Sequence, residues 1–255
     1  MKHRPRKRFG QNFLVDKGAL LRIATMARGA DKVLEIGPGL GALTRAMREQ
    51  GTEVRAVEVD RDLAEHIRMT LPTVDMVEGD ALKLSLDEMA PGEGWVVCAN
   101  LPYNVGTQIL LRMLPEHPRF SRLVLMFQKE VASRITAVPG TKAYGSLSVL
   151  VRAYAKARIV LELPPSAFHP APKVDSAVVE LILHPPRLDG VPREHFEKVV
   201  RAGFSLRRKR LENALARAFT KERARAATPI AGVEGKRAEQ LDFARWVALA
   251  KALQT

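Results

Sequence analysis

The chain has 255 residues, of which 46% are hydrophobic and 27% charged, and this excludes disorder of the whole chain because there is enough apolar material for a core. The formal net charge is +13, and the surplus lies at the two ends: residues 1–10 hold five basic and no acidic side chains, and residues 186–255 hold sixteen basic and eight acidic ones. Two basic ends around a middle segment of zero net charge suggest that the chain binds a polyanionic partner. The competing explanation of the positive charge is that it serves only solubility.

The first half of the chain alternates short β-rich runs with helical ones. Strands are predicted at residues 32–36, 53–59, 74–77, 95–99 and 122–127, and helices at 41–50 and 62–71. The fourth of these strands is apolar throughout, as a buried parallel strand would be. The alternation predicts an α/β fold with a doubly wound parallel sheet.

The pattern changes after residue 127. The runs 147–151, 157–163 and 177–183 are β-rich, and no long helix separates the last two. They therefore predict antiparallel strands at the end of the sheet. Beyond a Pro-rich linker the strand signals stop and helical ones resume. We therefore predict an α/β domain at 1–184, with a basic N-terminal arm, and a small all-α basic domain at 185–255.

Several kinds of site and location find no support in the sequence. The single cysteine, Cys98, excludes a disulfide within the chain, and the six scattered histidines suggest no metal site. The N-terminal segment does not resemble a secretory signal, and the longest uncharged run is too polar to span a bilayer. We therefore expect a cytoplasmic protein with no metal and no membrane partner.

A glycine-rich loop follows the first predicted strand and opens a helix. Its residues Gly37 and Gly39 allow a tight turn and a close approach of the backbone to a ligand. With Ala42 they also fit the fingerprint of dinucleotide-binding enzymes, and Glu58 stands where that fingerprint places a ribose-binding acid. The loop alone therefore leaves the ligand open.

Asp80, after the third strand, narrows the choice. A carboxylate there can accept a hydrogen bond from the exocyclic amine of an adenine, although a turn or helix cap is the alternative role for this residue. The ends of the first three strands thus supply a glycine turn and two carboxylates. This set fits a nucleoside such as S-adenosyl-L-methionine, which has no pyrophosphate and so places no anion at the helix N-terminus.

The fourth strand ends in the most specific motif of the chain, Asn100-Leu101-Pro102-Tyr103. The N6 amine of adenine is a poor nucleophile because its lone pair is delocalised into the ring. Acceptors from Asn100 and from the carbonyl of Leu101 would favour its pyramidal, reactive geometry and stabilise the positive charge that develops. Pro102 fixes the backbone, and Tyr103 can stack on the base.

With these motifs the chain resembles, over nearly its full length, the ribosomal RNA adenine N6-dimethyltransferases, which are class I S-adenosylmethionine-dependent methyltransferases. The residues that carry the resemblance are the N-terminal motif 6–14, Glu35 to Gly41, Glu58, Asp80, Asn100 to Tyr103, and the segment 165–176. The resemblance implies that Asn12 and Leu14 touch the cofactor and that Phe168 stacks on the flipped target base. With Tyr103, Phe168 would then sandwich one extruded adenine.

Basic residues supply the expected contacts with RNA. These predicted contacts are Arg6, Lys7, Arg8, Arg207, Arg208, Lys209 and Arg210. Such residues neutralise phosphates without reading sequence, although a solvated surface is the usual role of a run of charges. Folded rRNA is recognised largely by shape, so the helical domain is expected to dock on it.

The resemblance is greatest to the bacterial small-subunit enzymes, which dimethylate two adjacent adenines near the 3′ end of 16S rRNA. It implies small-subunit rRNA or a pre-30S particle as partner and a role in small-subunit biogenesis, and we expect a monomer. The alternatives are a large-subunit rRNA methylase that confers macrolide resistance, a DNA adenine methyltransferase, and a non-catalytic ribosome-assembly factor.

Overall fold

The structure, a computed structural model, describes residues 11–206 and 208–254. In these ranges the strands are β1 (Phe13–Leu14), β2 (Val33–Ile36), β3 (Val54–Glu58), β4 (Asp75–Glu78), β5 (Trp95–Asn100), β6 (Phe120–Gln128), β7 (Ala155–Leu163), β8 (Phe168–His169) and β9 (Ser176–Leu183). The α-helices are α1 (Lys17–Ala27), α2 (Ala42–Glu49), α3 (Arg61–Thr70), α4 (Leu86–Met89), α5 (Gly106–Met113), α6 (Lys129–Thr136), α7 (Ser146–Tyr154), α8 (Arg193–Gly203), α9 (Leu211–Leu215), α10 (Lys221–Ile230) and α11 (Phe243–Ala252).

The chain divides into two compact units. The first comprises the described residues up to 132 together with 156–185, and the second comprises 133–155 and the described residues from 186 onward. The break at 185/186 lies one residue from the predicted domain boundary. The difference is the segment 133–155, which the sequence analysis placed in the first domain and which belongs to the helical unit.

The first unit is built on a seven-stranded sheet in the order β4-β3-β2-β5-β6-β9-β7. Strands β4, β3, β2, β5 and β6 are mutually parallel, and β9 runs antiparallel to β6. The predicted α/β fold with a doubly wound sheet and an antiparallel end is therefore confirmed. The chain moves outward from β2 on one side and from β5 on the other, so the carboxyl ends of these two strands flank the crevice where such sheets bind ligands.

A separate two-stranded ribbon joins the start of the described chain to its Pro-rich segment. Phe13 of β1 pairs with His169 of β8, and Leu14 pairs with Phe168. The amides of Val15 and the next residue both donate to the carbonyl of Ala167. Backbone hydrogen bonds therefore hold residues 13–16 against the Pro-rich segment.

The second unit is helical and has an aromatic core. Phe204 stacks on Trp246 with ring centroids 5.2 Å apart, and the Tyr144 ring meets the edge of Phe204 at 5.9 Å. The Tyr144 hydroxyl donates to the carbonyl of Leu241 at 2.8 Å. Burial raises the pKa of Tyr144 to about 12, so this hydroxyl stays protonated. These contacts explain why the segment around Tyr144 belongs to the helical unit.

The predicted strand at 147–151 is wrong, because these residues lie in α7. Most of the helix is buried, including Val149, Leu150 and Val151, so its apolar residues are not confined to one face. A short, continuously apolar run does not distinguish a buried strand from a buried helix by its periodicity. The described residues contain no helix long and apolar enough to cross a membrane.

Candidate active site

One pocket in the first unit brings together almost all of the predicted site residues. From the predicted cofactor set it is lined by Asn12, Leu14, Gly37, Gly39, Glu58, Asp80 and Asn100, and from the predicted catalytic set by Leu101, Pro102 and Tyr103 as well. Most of these residues lie in or just after β2, β3, β4 and β5, whose carboxyl ends share one edge of the sheet. The pocket therefore occupies the position that the parallel topology favours for a ligand.

The glycine loop packs closely against the ring of Phe13 in the pocket. Gly37 and Gly39 have φ angles of 70° and 59°, a region that favours glycine. A Cβ atom on Gly39 would lie 2.8 Å from Cε1 of Phe13, so the ring and the loop backbone approach as closely as glycine permits. Phe13, which the sequence analysis did not single out, is thereby a wall of the pocket.

Glu58 at the end of β3 is buried and supports this loop. Its Oε2 accepts a hydrogen bond from the Gly39 amide at 3.2 Å, and its Oε1 accepts one from the Asp60 amide at 3.0 Å. Burial raises the pKa of Glu58, while these amides and that of Val59 oppose the rise. Each carboxylate oxygen has a second lone pair, which leaves Glu58 able to accept from ribose hydroxyls.

Asp80 begins the loop after β4. Its Oδ1 accepts from the Leu82 amide at 2.9 Å, so it has the turn-forming role that was the alternative, while it also lines the pocket. Arg112 of α5 donates to the carbonyls of Ala81 and Leu84 and thereby holds the loop. No sequence pattern indicated Arg112, because its partners lie in another segment and are backbone carbonyls.

Asn100 is fixed in one orientation by the N-terminal motif. Its Nδ2 donates to the backbone carbonyl of Asn12 at 2.9 Å. Its Oδ1 accepts no hydrogen bond from the described residues, and Asn100 lines the pocket. The strand end therefore presents an acceptor whose direction is set by a residue 88 positions away.

Tyr103 is also held in place. Its hydroxyl and the hydroxyl of Ser176, the first residue of β9, share a hydrogen bond of 2.6 Å. Burial raises the pKa of Tyr103, and the contact with Ser176 lowers it. The ring is partly exposed and lines the pocket, so it can present a face to a planar ligand while its far end is anchored.

Phe168 does not join the pocket, in contrast to its predicted role. Its residue exposure is 4%, and it packs in the core with Leu14, Leu161 and Val178. The physical reason is the pairing of β8 with β1, which places Phe168 opposite buried Leu14. Among the residues that the structure describes, Phe13 and Tyr103 are the aromatic side chains of the pocket lining, so the expected sandwich of Tyr103 and Phe168 is not present in this conformation.

Glu35 is the pocket residue whose chemistry the sequence analysis missed. It lies in β2, is only 2% exposed, and its Oε2 has no hydrogen-bond partner among the described residues. Burial raises its pKa to about 8, the Thr44 hydroxyl opposes this, and the charge of Glu58 adds to it. Although Thr44 interacts with the carboxyl, its Oγ1 does not reach hydrogen-bond geometry. A buried carboxyl with one oxygen lacking a partner suits a ligand that brings a donor or a positive charge.

The predicted RNA contacts are described only in part. Arg208, Lys209 and Arg210 are exposed and form no ion pair with the described residues. The other predicted contacts, Arg6, Lys7, Arg8 and Arg207, lie outside the described residues. Within residues 11–206 and 208–254, no three His, Cys, Asp or Glu side chains cluster so as to hold a metal ion.

Comparison with known proteins identifies the family. Residues 2–255 match the family described as ribosomal RNA adenine dimethylase. The chain belongs to this family. Among its relatives, the ribosomal RNA small subunit methyltransferase A of Geobacter metallireducens is 41% identical over 98% of this chain and 96% of its own length. The protein of the same name from Syntrophotalea carbinolica is 42% identical over 100% and 98%.

Two solved structures have folds similar to that of this chain. A dimethyladenosine transferase from Plasmodium falciparum has a TM-score of 0.77 and 25% identity, with 93% of this chain and 95% of that chain covered. The 23S rRNA methyltransferase ErmE has a TM-score of 0.71 and 29% identity, with 96% and 100% covered. The fold of this chain is thus shared by a protein named as a dimethyladenosine transferase and by one named as a 23S rRNA methyltransferase.

Proposed function

We propose that this chain transfers methyl groups from S-adenosyl-L-methionine to N6 of two adjacent adenines near the 3′ end of 16S rRNA, twice per base. Membership of the adenine dimethylase family and the names of the relatives support this substrate. The proposed partner is the small-subunit rRNA or an assembling pre-30S particle. A cytoplasmic monomer with a role in small-subunit biogenesis completes the proposal.

The pocket fits the cofactor by the chemistry of its lining. When bound, S-adenosyl-L-methionine supplies a methyl group on a positively charged sulfonium. Glu58 would accept from the ribose hydroxyls and Asp80 from the adenine amine, since each carboxylate keeps accepting capacity beyond its backbone hydrogen bonds. Gly37 offers open space, because a Cβ atom there would meet nothing within 4 Å. The buried carboxyl of Glu35 suits a positively charged ligand.

The hydrogen bond between Asn100 and Asn12 is the observation that carries the catalytic proposal. With Nδ2 committed to the Asn12 carbonyl, Oδ1 is the atom that can accept an N–H bond of the target amine. A preset acceptor stabilises the positive charge that develops on N6 as it is methylated. The anchored Tyr103 ring would stack on the base and orient it.

The second methylation places a demand on the same site. A monomethylated amine retains only one N–H bond, so one of the two expected acceptors, Asn100 Oδ1 and the Leu101 carbonyl, must do without a partner. We therefore expect a pocket that is loose around N6. Accumulation of the monomethyl product alone would contradict this expectation.

The experiment that tests the function uses purified protein, labelled cofactor and three substrates: naked 16S rRNA, small-subunit particles at several assembly stages, and 23S rRNA. Nucleoside analysis should show dimethyladenosine in small-subunit RNA. Asn100→Ala should lose methyl transfer while it still binds RNA. Transfer by Asn100→Ala at the rate of the unaltered protein would overturn the catalytic assignment.

A large-subunit substrate is the second candidate, favoured by the similarity to the 23S rRNA methyltransferase ErmE. The relatives named for the small subunit have higher sequence identity, and we therefore place 16S rRNA first. Label that appears in 23S rRNA and not in small-subunit RNA would reverse this order.

A further inference from the structure

A second pocket lies in the helical unit and is lined by basic side chains. Lys198 of α8, Arg217, and Arg223 of α10 contribute to it, together with His195 and Phe219. No aspartate or glutamate is among the described residues of its lining. It shares no residue with the basic run 207–210.

Phe219 organises this pocket, because three basic side chains surround its ring. Lys198 Nζ lies 4.9 Å from the ring centroid and Arg223 Cζ lies 6.0 Å from it. The His195 ring meets the ring of Phe219 at 6.0 Å and 72°. A cation held over an aromatic ring is positioned without being neutralised, so its charge remains available to an anion.

The cations of the pocket also lack compensation from carboxylates. None of Lys198, Arg217 and Arg223 forms an ion pair with a carboxylate among the residues that the structure describes. On the same helix α8, by contrast, Arg201 is paired with Glu197 at 3.4 Å. Glu194 and Glu197 line an adjacent depression that also touches Lys198, but no described carboxylate lines the pocket itself or pairs with its cations. The pocket is therefore a concentration of positive charge.

The start of α10 adds hydrogen-bond donors. Thr220 caps this ten-residue helix, its Oγ1 accepting from the Arg223 amide at 3.2 Å, so its own hydroxyl proton remains to be donated. Arg223 Nη2 donates to the Leu253 carbonyl at 2.7 Å, which fixes the guanidinium and leaves its other N–H groups. Fixed donors beside a helix N-terminus and unpaired cations are the requirements of a phosphate site.

We propose that this pocket binds a backbone phosphate of folded RNA and is an anchoring point additional to the basic run 207–210. The proposal rests on the proposed function in one respect, that the RNA is the rRNA substrate. The contacts are to phosphate, so they set position and affinity and read no sequence.

The test compares a double variant, Lys198→Gln with Arg217→Gln, with a control that replaces a paired cation on the same helix, Arg201→Gln. Binding to 16S rRNA is measured over a range of salt concentrations. The double variant should bind several-fold more weakly, and its slope of log affinity against log salt should be shallower by about 1. The control should keep the slope of the unaltered protein. Replacing Lys198 by arginine instead of glutamine in the double variant retains this charge, and it should restore much of the lost RNA affinity.

The outcomes separate this proposal from the proposed function. A double variant with unaltered RNA affinity and salt slope would overturn the pocket proposal, even where the unaltered protein methylates 16S rRNA. Weaker RNA binding by the variant, with an unaltered protein that methylates no rRNA, would support the pocket and contradict the function. Unchanged RNA affinity with weaker binding to assembling particles would assign the pocket to a protein partner and would also overturn the proposal.

Discussion

Replacement of Glu35 by glutamine tests the electrostatics of the pocket. The carboxyl has an ordinary pKa of 4.5 and a folded-state pKa of about 8, raised chiefly by burial. Below pH 4.5 it is protonated in both states and has no effect on the pH dependence. Between pH 4.5 and pH 8 the unfolded chain gives up this proton and the folded protein keeps it, so the free energy of unfolding falls as the pH rises. Above pH 8 the carboxyl is ionised in both states, and its effect on the free energy of unfolding no longer changes with pH.

The size of the effect follows from the same shift. One pKa unit corresponds to about 1.4 kcal/mol, so the wild type should lose about 3 kcal/mol through this group between pH 4.5 and pH 7. Glutamine has nearly the same shape and does not titrate. Any cost of burying its amide is the same at each pH. The Glu35→Gln protein should therefore gain stability relative to the wild type as the pH rises.

Urea unfolding without ligand, followed by circular dichroism at several pH values from 5 to 8, measures this difference. Glu53→Gln is the matched control, because Glu53 is exposed and immediately precedes the neighbouring strand β3. This control makes the same chemical change at a position that solvent reaches in the folded protein. A Glu35→Gln difference that is the same at pH 5 and pH 8 would refute the reasoning, because Glu35 would then ionise in the folded and unfolded states alike.

Three further substitutions test the walls of the pocket. Gly51→Ala, with φ of 81° and open space around it, should cost only the backbone strain of about 1–3 kcal/mol. Gly39→Ala should cost more than this and weaken cofactor binding in calorimetry, because its Cβ atom would also meet the Phe13 ring. Arg112 donates to the carbonyl of Ala81, which lines the pocket, so Arg112→Gln should weaken cofactor binding roughly ten-fold by freeing the loop after β4. Arg119→Gln should not weaken it, because the carbonyl partner of Arg119, Ala90, does not line the pocket. Tyr103→Phe should lower kcat/KM for rRNA about five-fold and leave cofactor affinity unchanged, because it keeps the ring and loses the hydroxyl anchor; equal losses in both would contradict the assigned role.

Much of the sheet could be predicted from the sequence because its strands are short apolar runs separated by helices. The carboxylates Glu58 and Asp80 could be placed in one pocket for the same reason, since parallel strands end at one edge. The helix at 146–154 could not, because its buried surface hides the helical period. The spacing of apolar residues identifies a helix or strand when only one face of it is buried. It does not do so when most of the element is buried.

Contacts between segments that are distant in the chain could not be predicted from the sequence either. The hydrogen bond from Asn100 to Asn12 joins residues 88 apart, and no local pattern reports the direction of an amide. Phe168 shows the converse: its motif was recognised, but the pairing of β8 with β1 placed its ring in the core. Glu35 was read as part of a glycine motif, while its raised pKa arises from burial that only the folded sheet creates.

The ribbon between β1 and β8 has a consequence for the order in which the protein becomes competent during synthesis. Phe13 and Leu14 are made early, yet their strand partners, Phe168 and His169, are made after most of the sheet. A nascent chain that ends before residue 168 would hold the glycine loop and the Asn100 strand end but would lack the partner that seats the N-terminal wall. The cofactor pocket is thereby completed late in translation, so an unfinished chain would hold the cofactor poorly.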